Sequence, residues 1–298
     1  MNKLEIKGMN LIKLQKLCKN AGESNYRANQ LFEWIYQKGV SSFDSMQNIN
    51  KSFRAYLSDN YILNTLKVAQ KIQSNNDNTL KILFKTIDGK FIETVSMIDK
   101  SRHTVCISSQ VGCALDCTFC ATGKMGLMRN LSSGEIIDQL IYVKRNINIS
   151  ITNVVFMGMG EPFHNYENVL NAADIFHSSK GFNLASSRIT ISTVGLLPQI
   201  KKFIAENRRY KLAISLNASN DTSRNSIMPI NKKWPIKDLI EVGRIYSQQK
   251  KRLIMFEYVM LKNINDSEKD ALELANHLSG IPCKLNLIPY NETDGQFM

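Results

Sequence analysis

The sequence predicts an α/β protein whose main domain is an open, partial (βα)6 barrel, preceded by a helical accessory domain and a β-hairpin extension. Two observations support this fold class. From about residue 101 onward, strand-like apolar runs alternate with amphipathic helical segments, whereas the first 75 residues have only helical periodicity. We therefore expect three domains: the accessory domain at 1–75, the hairpin at 76–100 and the barrel at 101–298.

The N-terminal segment carries apolar residues at helical spacing. Leu11, Leu14 and Leu17 recur every three residues, and an apolar and aromatic stretch from Tyr26 ends at Gly39, a residue that commonly terminates helices. We expect helices to fill this segment. The lysine-rich N-terminus lacks the continuous apolar core of a secretory signal.

A hairpin is predicted between the two larger domains. Leu80, Ile82 and Phe84 alternate with polar residues, and Asp88-Gly89 supplies a tight turn before the chain returns.

The barrel is predicted from six strands and five intervening helices. The strands are expected at about 104–108, 153–157, 188–192, 210–216, 253–261 and 283–288. The helices are expected at about 132–146, 166–178, 197–206, 236–249 and 267–279, and the connection after the fourth strand is expected to carry an extra loop from Asn217 to Pro235. Repeated strand–helix units form a parallel sheet with right-handed crossovers. Six strands are too few to close an eight-stranded barrel, so we expect an open one.

Charge and hydropathy narrow the class of partner. The formal net charge is +12, and a basic excess attracts polyanions, so nucleic acid is the leading partner class. A lysine-rich proteome is the alternative, and charge alone does not separate the two. No apolar run is long enough to cross a bilayer, so we expect a cytoplasmic protein without membrane contact.

Three of the six cysteines, Cys113, Cys117 and Cys120, lie within eight residues, directly after the first predicted barrel strand. Clustered cysteines indicate metal binding or catalysis in a cytosolic protein. Three local thiolates leave one iron of a cubane cluster open to a small molecule, as a catalytic site requires. Zinc held by the same thiolates and His103 is the alternative. The separate Cys18 and Cys283 are expected to be buried small hydrophobic residues.

The CxxxCxxC motif and several separate blocks resemble the RlmN/Cfr family of radical S-adenosylmethionine (SAM) RNA methyltransferases. The blocks are YRANQLFEWIY, SSFDSMQNINK, SSQVGCALDCTFCATG, NVVFMGMGEP, RITISTVG, MPINKKWPI, EYVML and LNLIPYN. They occur in family order over nearly the whole chain, and the N-terminal blocks are similar to the RlmN type.

The resemblance implies a cofactor site. Cys113, Cys117 and Cys120 would hold a 4Fe–4S cluster whose fourth iron binds the amino and carboxylate groups of SAM. The residues that match the family's SAM contacts are Gly160, Glu161, Ser192, Ser215, Leu216, Asn217 and Asn291. Taken alone, the GMGE sequence is equally typical of a tight turn. Many relatives have histidine where Asn217 stands, which leaves a backbone contact as the safer expectation there.

Two further residues match the family's reaction machinery. Glu93, in an ETV sequence, matches a proton-accepting glutamate, although its position alone suggests an exposed strand residue. Cys106 matches the cysteine that resolves a covalent protein–RNA intermediate, and a buried strand cysteine is the alternative.

The resemblance also implies substrate and partners. An RlmN-type enzyme methylates carbon 2 of an adenine in 23S rRNA and acts on tRNA, and it takes its electron from a flavodoxin- or ferredoxin-type donor. We expect a monomer. Two other hypotheses remain open from the residues: a cluster- or zinc-stabilised RNA-binding protein without turnover, and a radical SAM enzyme with another substrate.

One family element has no counterpart in these 298 residues. The family carries its methyl group on a cysteine in a C-terminal AACGQL-like segment, and no cysteine follows Cys283 here. We expect this chain to lack that C-terminal segment relative to a full-length enzyme. On that expectation the 298-residue chain would cleave SAM without methylating adenine.

Overall fold

A computed structural model describes residues 3–291 and divides them into two compact units. The first unit comprises the chain up to Val111 together with 130–158 and 165–189. The second unit comprises 112–129, 159–164 and the chain from Thr190 on. The three cysteines of the motif therefore belong to the second unit.

The described residues form thirteen strands and ten α-helices. The strands are β1 Leu4–Glu5, β2 Tyr61–Ile62, β3 Leu66–Gln73, β4 Asn78–Thr86, β5 Phe91–Asp99, β6 Arg102–Cys106, β7 Gln110–Gly112, β8 Leu127–Asn130, β9 Asn153–Phe156, β10 Ile189–Thr193, β11 Lys211–Ser215, β12 Ile254–Met260 and β13 Cys283–Pro289. The helices are α1 Leu11–Asn20, α2 Tyr26–Phe32, α3 Lys51–Asn60, α4 Ala121–Lys124, α5 Ser133–Asn146, α6 Tyr166–His177, α7 Leu197–Ala205, α8 Asp221–Ile227, α9 Ile236–Lys250 and α10 Glu268–Leu278. None of these helices is long and apolar enough to cross a membrane.

The first unit carries an antiparallel meander, β3 to β6, with β9 parallel to β6. The predicted hairpin is confirmed as β4 and β5. The expectation that helices fill the first 75 residues is wrong at 66–73, which form β3. This strand alternates apolar Leu66, Val68 and Ile72 with polar residues, and its pairing with β4 decides its conformation. The antiparallel meander therefore has one more strand than the predicted hairpin, and this strand comes from the end of the 1–75 segment.

The helical N-terminal segment is fixed to α5 by one buried carboxylate. Asp138 Oδ1 accepts a hydrogen bond from Lys7 Nζ, and Oδ2 accepts from the backbone nitrogens of Thr65 and Leu66 at 2.7 and 3.1 Å. The Thr65 hydroxyl donates to the same oxygen at 2.9 Å. A buried ion pair is stable only when its remaining donors and acceptors are paired, and here both carboxylate oxygens are.

The second unit carries four adjacent parallel strands in the order β10, β11, β12, β13. Helices α7, α9 and α10 lie between them in the chain, as the strand–helix alternation predicts. Gly243 on α9 allows close approach to the sheet, because a Cβ there would lie 2.9 Å from the ring of Phe256. The long connection after β11, expected as a loop, contains helix α8.

The predicted barrel elements agree with the structure to within one residue at each end, except for the first strand. It was expected at 104–108 and is found at Arg102–Cys106. The turn from β5 places Lys100 in the left-handed region (φ 51°), and Asp99 already pairs with Arg102. The hairpin therefore starts the strand two residues earlier than its apolar pattern suggests.

Candidate functional site

The cysteine motif lies on a loop that closes on itself. The Cys113 backbone nitrogen donates to the Gly126 carbonyl, and the Cys120 nitrogen donates to the Cys117 carbonyl, both at 3.0 Å. Gly112 adopts φ 76°, and a Cβ there would lie 1.8 Å from the Gly126 carbonyl oxygen, so only glycine fits. This tight path brings three thiols together at one end of the loop.

The thiols influence one another electrostatically. Burial, together with the neighbouring thiols of Cys120 and Cys113, raises the pKa of Cys117 to about 12. Burial also raises the pKa of Cys113, an effect that backbone N–H groups partly oppose. A bound cation reverses this balance, because a coordinating thiol loses its proton. The donor set therefore suits a positively charged iron–sulfur group better than it suits free thiols.

The local geometry fits a cluster and does not fit the zinc site of the sequence analysis. Both ring nitrogens of His103 are engaged in the first unit: Nε2 with the Ser96 hydroxyl at 2.8 Å and Nδ1 with the Ile149 carbonyl at 3.0 Å. Within residues 3–291, no three His, Cys, Asp or Glu side chains converge on a point where one metal ion would bind. A cubane binds each thiolate through a different iron and does not require such convergence.

Glu161 is a buried carboxylate beside the motif. Its Oε1 accepts from the Phe163 nitrogen and its Oε2 from the Val194 nitrogen, both at 2.9 Å. Burial raises its pKa to about 7, and these N–H groups oppose the shift. The preceding Gly160 has φ 98°, which explains the glycine. Glu161 thus ties the 159–164 segment to the end of β10.

Apart from Asn291, the other predicted SAM contacts of the second unit lie at the carboxyl ends of β10 and β11. The Ser192 and Ser215 hydroxyl oxygens are 3.5 Å apart. Asn217 has φ 54°, a left-handed conformation that asparagine tolerates. Its Oδ1 accepts from the Val259 nitrogen at 2.9 Å and its Nδ2 lies 3.4 Å from Met228 Sδ. The Asn217 side chain is therefore committed to the protein. Its backbone is also paired, because its nitrogen donates to the Glu257 carbonyl at 3.3 Å and its carbonyl accepts from Asn265 Nδ2 at 2.7 Å.

Arg224, which the sequence analysis missed, holds these strand ends together. The side chain is fully buried, and Nη2 donates to the carbonyls of Val194 and Ser215 at 2.7 and 3.0 Å. Nε donates to the Leu216 carbonyl at 2.8 Å and Nη1 to Asn231 Oδ1 at 2.9 Å. The sequence offered one indication of this role: an arginine shortly before the MPINKKWPI block, in the connection that was predicted to be a loop.

Three further predicted residues lie on β5, on β6 and after β13. Glu93, on β5 of the first unit, forms an ion pair with Lys81 (3.1 Å) and has a 41 % exposed side chain. Cys106, on β6 of the first unit, has a pKa raised by burial to about 12. Asn291 is the last described residue and is exposed directly after β13. Of the two isolated cysteines, Cys18 is buried as expected, whereas Cys283 is only half buried.

Two protein families match the sequence. Residues 4–63 match the ribosomal RNA large subunit methyltransferase N-terminal domain, and residues 107–275 match the radical SAM superfamily. The second match covers more than half of the chain and includes all three motif cysteines.

Individual relatives agree with these matches. A dual-specificity RNA methyltransferase RlmN of Anaeromyxobacter sp. (strain Fw109-5) is 44 % identical over 98 % of this chain and 79 % of the relative. A probable dual-specificity RNA methyltransferase RlmN of Spiroplasma citri is 44 % identical over 91 % of this chain and 79 % of its own length. The crystal structure of a radical SAM methyltransferase from Sphaerobacter thermophilus has a TM-score of 0.94 and 42 % identity, covering 98 % of this chain and 86 % of that one.

The motif cysteines should be separable from the other cysteines by metal content. We expect Cys117→Ala to abolish the brown colour and acid-labile sulfide of anaerobically reconstituted protein, because it removes a buried cluster ligand. Cys283→Ala is the matched control and should retain both. Iron and sulfide assays measure the outcome. Stoichiometric zinc without sulfide in the unsubstituted protein would contradict the assignment.

Proposed function

Because the chain belongs to the RlmN family of radical SAM RNA methyltransferases, we propose that its reaction is the methylation of carbon 2 of an adenine in 23S rRNA and in tRNA, and that these 298 residues supply the SAM-cleaving site for that reaction. The observation that carries this proposal is the grouping within the second unit of the cysteine loop, Glu161 and the Ser192–Ser215 pair. A ring carbon of adenine is a poor nucleophile, so cofactor-borne radical chemistry suits this methylation.

The cofactors of the family are a 4Fe–4S cluster and SAM. When bound, the cluster supplies the electron that cleaves SAM. Cys113, Cys117 and Cys120 hold it in this proposal. Gly160 leaves backbone exposed to SAM, and Glu161 orients the end of β10 through the Val194 nitrogen. Ser192 and Ser215 offer hydroxyls to SAM. The carbonyl oxygens of Leu216 and Asn217, each of which has a second lone pair beyond its bond to Arg224 or Asn265, and the exposed Asn291 complete the contacts.

Glu93 and Cys106 serve the RNA steps in this proposal. Glu93 accepts the proton that leaves the adenine carbon, and its half-exposed carboxylate beside Lys81 is open to solvent and substrate. Cys106 resolves the covalent intermediate between protein and RNA. Its thiol is protonated at neutral pH, since burial raises its pKa to about 12, so it needs a base to react.

RNA is bound in part by a basic face of the first unit, defined by Lys38, Lys144, Arg145 and Lys180. All four side chains are exposed. Lys38 Nζ lies 3.5 Å from the centre of the Trp34 ring, and Lys144 Nζ donates to the Gln37 carbonyl. A cation held beside the half-buried ring of Trp34, with further cations on the same face, suits a backbone phosphate next to an unstacked base.

The remaining assignments follow the family. We propose that residues 1–75 form the RNA-binding accessory domain, 76–100 the hairpin extension and 101–298 the barrel. The protein acts as a cytoplasmic monomer and receives its electron from a flavodoxin- or ferredoxin-type donor. The target adenine leaves its stack to reach the cluster, which favours RNA loops and junctions.

SAM cleavage tests the proposed function directly. Cluster-loaded protein reduced with dithionite should convert SAM to 5′-deoxyadenosine, measured by liquid chromatography. Ser192→Ala should slow this conversion about tenfold at limiting SAM, the effect of one lost hydrogen bond of about 1.4 kcal/mol. Ser226→Ala, on the exposed side of α8, should leave it unchanged. Cluster-loaded protein that forms no deoxyadenosine would overturn the proposal.

RNA affinity should depend on the basic face. We expect the triple variant Lys38→Ala/Lys144→Ala/Arg145→Ala to bind a 23S rRNA fragment more weakly, with the slope of log K against log salt reduced by about 2 to 3. The exposed set Lys201→Ala/Lys237→Ala/Lys262→Ala is the charge-matched control and should keep the slope. Filter binding across a salt series measures both. Equal slopes for the two variants would place RNA elsewhere.

A further inference from the structure

Glu257, on β12 of the second unit, is a buried carboxylate that the family resemblance does not assign. Its exposed fraction is 3 %. Oε2 accepts a hydrogen bond from Asn286 Nδ2 at 2.6 Å, whereas Oε1 is buried and has no partner among residues 3–291. Buried polar atoms are nearly always paired, so an unpaired carboxylate oxygen indicates a missing donor.

Strand register places Glu257 in a polar row with the two serines. Ser215 is paired with Glu257, and Glu257 with Asn286. Ser192 is paired with Ala213, which lies two residues before Ser215 and so on the same face of the sheet. The row therefore runs Ser192, Ser215, Glu257, Asn286 across four neighbouring strands.

This face is the one turned away from α9. Phe256 points towards Gly243 of α9, as the 2.9 Å approach of its ring shows. Successive side chains of a strand point to opposite faces, so Glu257 points the other way. Its own carbonyl accepts from the Leu216 and Asn217 nitrogens at 3.0 and 3.3 Å, which ties the carboxylate's position to the predicted SAM-contacting strand end.

The chemistry of SAM limits which donor reaches Oε1. In the proposed function the amino and carboxylate groups of SAM bind the cluster. The hydrogen-bond donors of SAM that remain for Oε1 are therefore the ribose hydroxyls and the adenine amine. Two serine hydroxyls, a carboxylate and an amide in one row offer alternating donors and acceptors. This set of donors and acceptors is complementary to the two neighbouring hydroxyls of the SAM ribose, since each hydroxyl donates one hydrogen bond and can accept others.

We propose that Glu257 is a further SAM-binding residue, whose Oε1 accepts a hydrogen bond from a ribose hydroxyl while Asn286 holds Oε2. This inference rests on the proposed function. Burial raises the pKa of Glu257, with Asn286 opposing the shift, and the cationic sulfonium of SAM favours the ionised form when SAM binds. The buried carboxylate thus supplies both an acceptor and a charge.

Binding of SAM to the cluster-loaded protein, measured anaerobically by titration calorimetry, tests the proposal. Glu257→Gln keeps the shape and removes the charged acceptor, and it should weaken SAM binding about tenfold, which is about 1.4 kcal/mol. Glu241→Gln, an exposed carboxylate on α9, is the matched control and should bind SAM like the unsubstituted protein. Iron and sulfide content should be equal in all three.

Ribose analogues distinguish the hydroxyl contact from a general effect of charge. One of the two analogues, 2′-deoxy-SAM or 3′-deoxy-SAM, lacks the hydroxyl that Glu257 contacts, and the unsubstituted protein should bind that analogue about tenfold more weakly than SAM. The Glu257→Gln variant has already lost this contact, so it should bind the same analogue and SAM with equal affinity. The proposal is overturned if Glu257→Gln loses the same factor for SAM and for both analogues, or loses nothing. Failure of the cluster-loaded unsubstituted protein to bind SAM at all would instead overturn the proposed function, and this inference with it.

Thermal unfolding checks that the variant remains folded. Without SAM, Glu257→Gln should melt at or above the temperature of the unsubstituted protein, because a neutral amide is easier to bury than a carboxylate. Saturating SAM should raise the melting temperature of Glu257→Gln by less than it raises that of the unsubstituted protein. Asn286→Ala is the second variant, and it should weaken SAM binding about threefold by freeing Oε2. Unchanged SAM affinity in Asn286→Ala would contradict the role given to Asn286.

Discussion

The hydrogen bonds of the buried Arg224 guanidinium are the constraint on which the second unit's site depends. Parallel strands leave carbonyl groups at their carboxyl ends without partners in the sheet, and Arg224 satisfies those of Val194, Ser215 and Leu216 with one rigid fork. Burial lowers its pKa to about 10, while Cys117 and Asp221 oppose the shift, so it remains charged at neutral pH. One side chain therefore fixes two strand ends and contributes a positive charge near a thiol of the motif.

Other hydrogen bonds of the site involve a peptide that Arg224 contacts and the helix that carries Arg224. The Val194 peptide is held from both sides, since its nitrogen donates to Glu161 and its carbonyl accepts from Arg224. The Thr118 nitrogen donates to the Ile227 carbonyl at 3.0 Å, which ties the cysteine loop to the helix that carries Arg224. Buried carboxylates have two different uses here: both oxygens of Glu161 position backbone, whereas Glu257 keeps one oxygen for a ligand.

Local sequence patterns predicted most of the fold and the metal motif. The capping box of Ser132 and Glu135 marks the start of α5, and strand and helix periods differ enough to separate most barrel elements. What depends on pairing between distant segments was not predictable in this way. Strand β3 is mostly exposed, and its pairing with β4 makes it a strand. Glu93 and Glu257 both occur in strands, yet one is half exposed and the other is buried, because their neighbours come from elsewhere in the chain.

The central claim is that Arg224 builds the SAM site by holding the strand ends, and SAM affinity of the Arg224→Lys variant tests it most directly. A lysine ammonium retains the charge but lacks the guanidinium fork that binds three carbonyls and Asn231. In cluster-loaded, folded protein with unchanged iron content, we expect SAM to bind at least about tenfold more weakly, or about 1.4 kcal/mol. Arg244→Lys, at a half-buried position on α9 whose ion pair is with Glu241, serves as control. SAM affinity equal to that of the control would contradict the account.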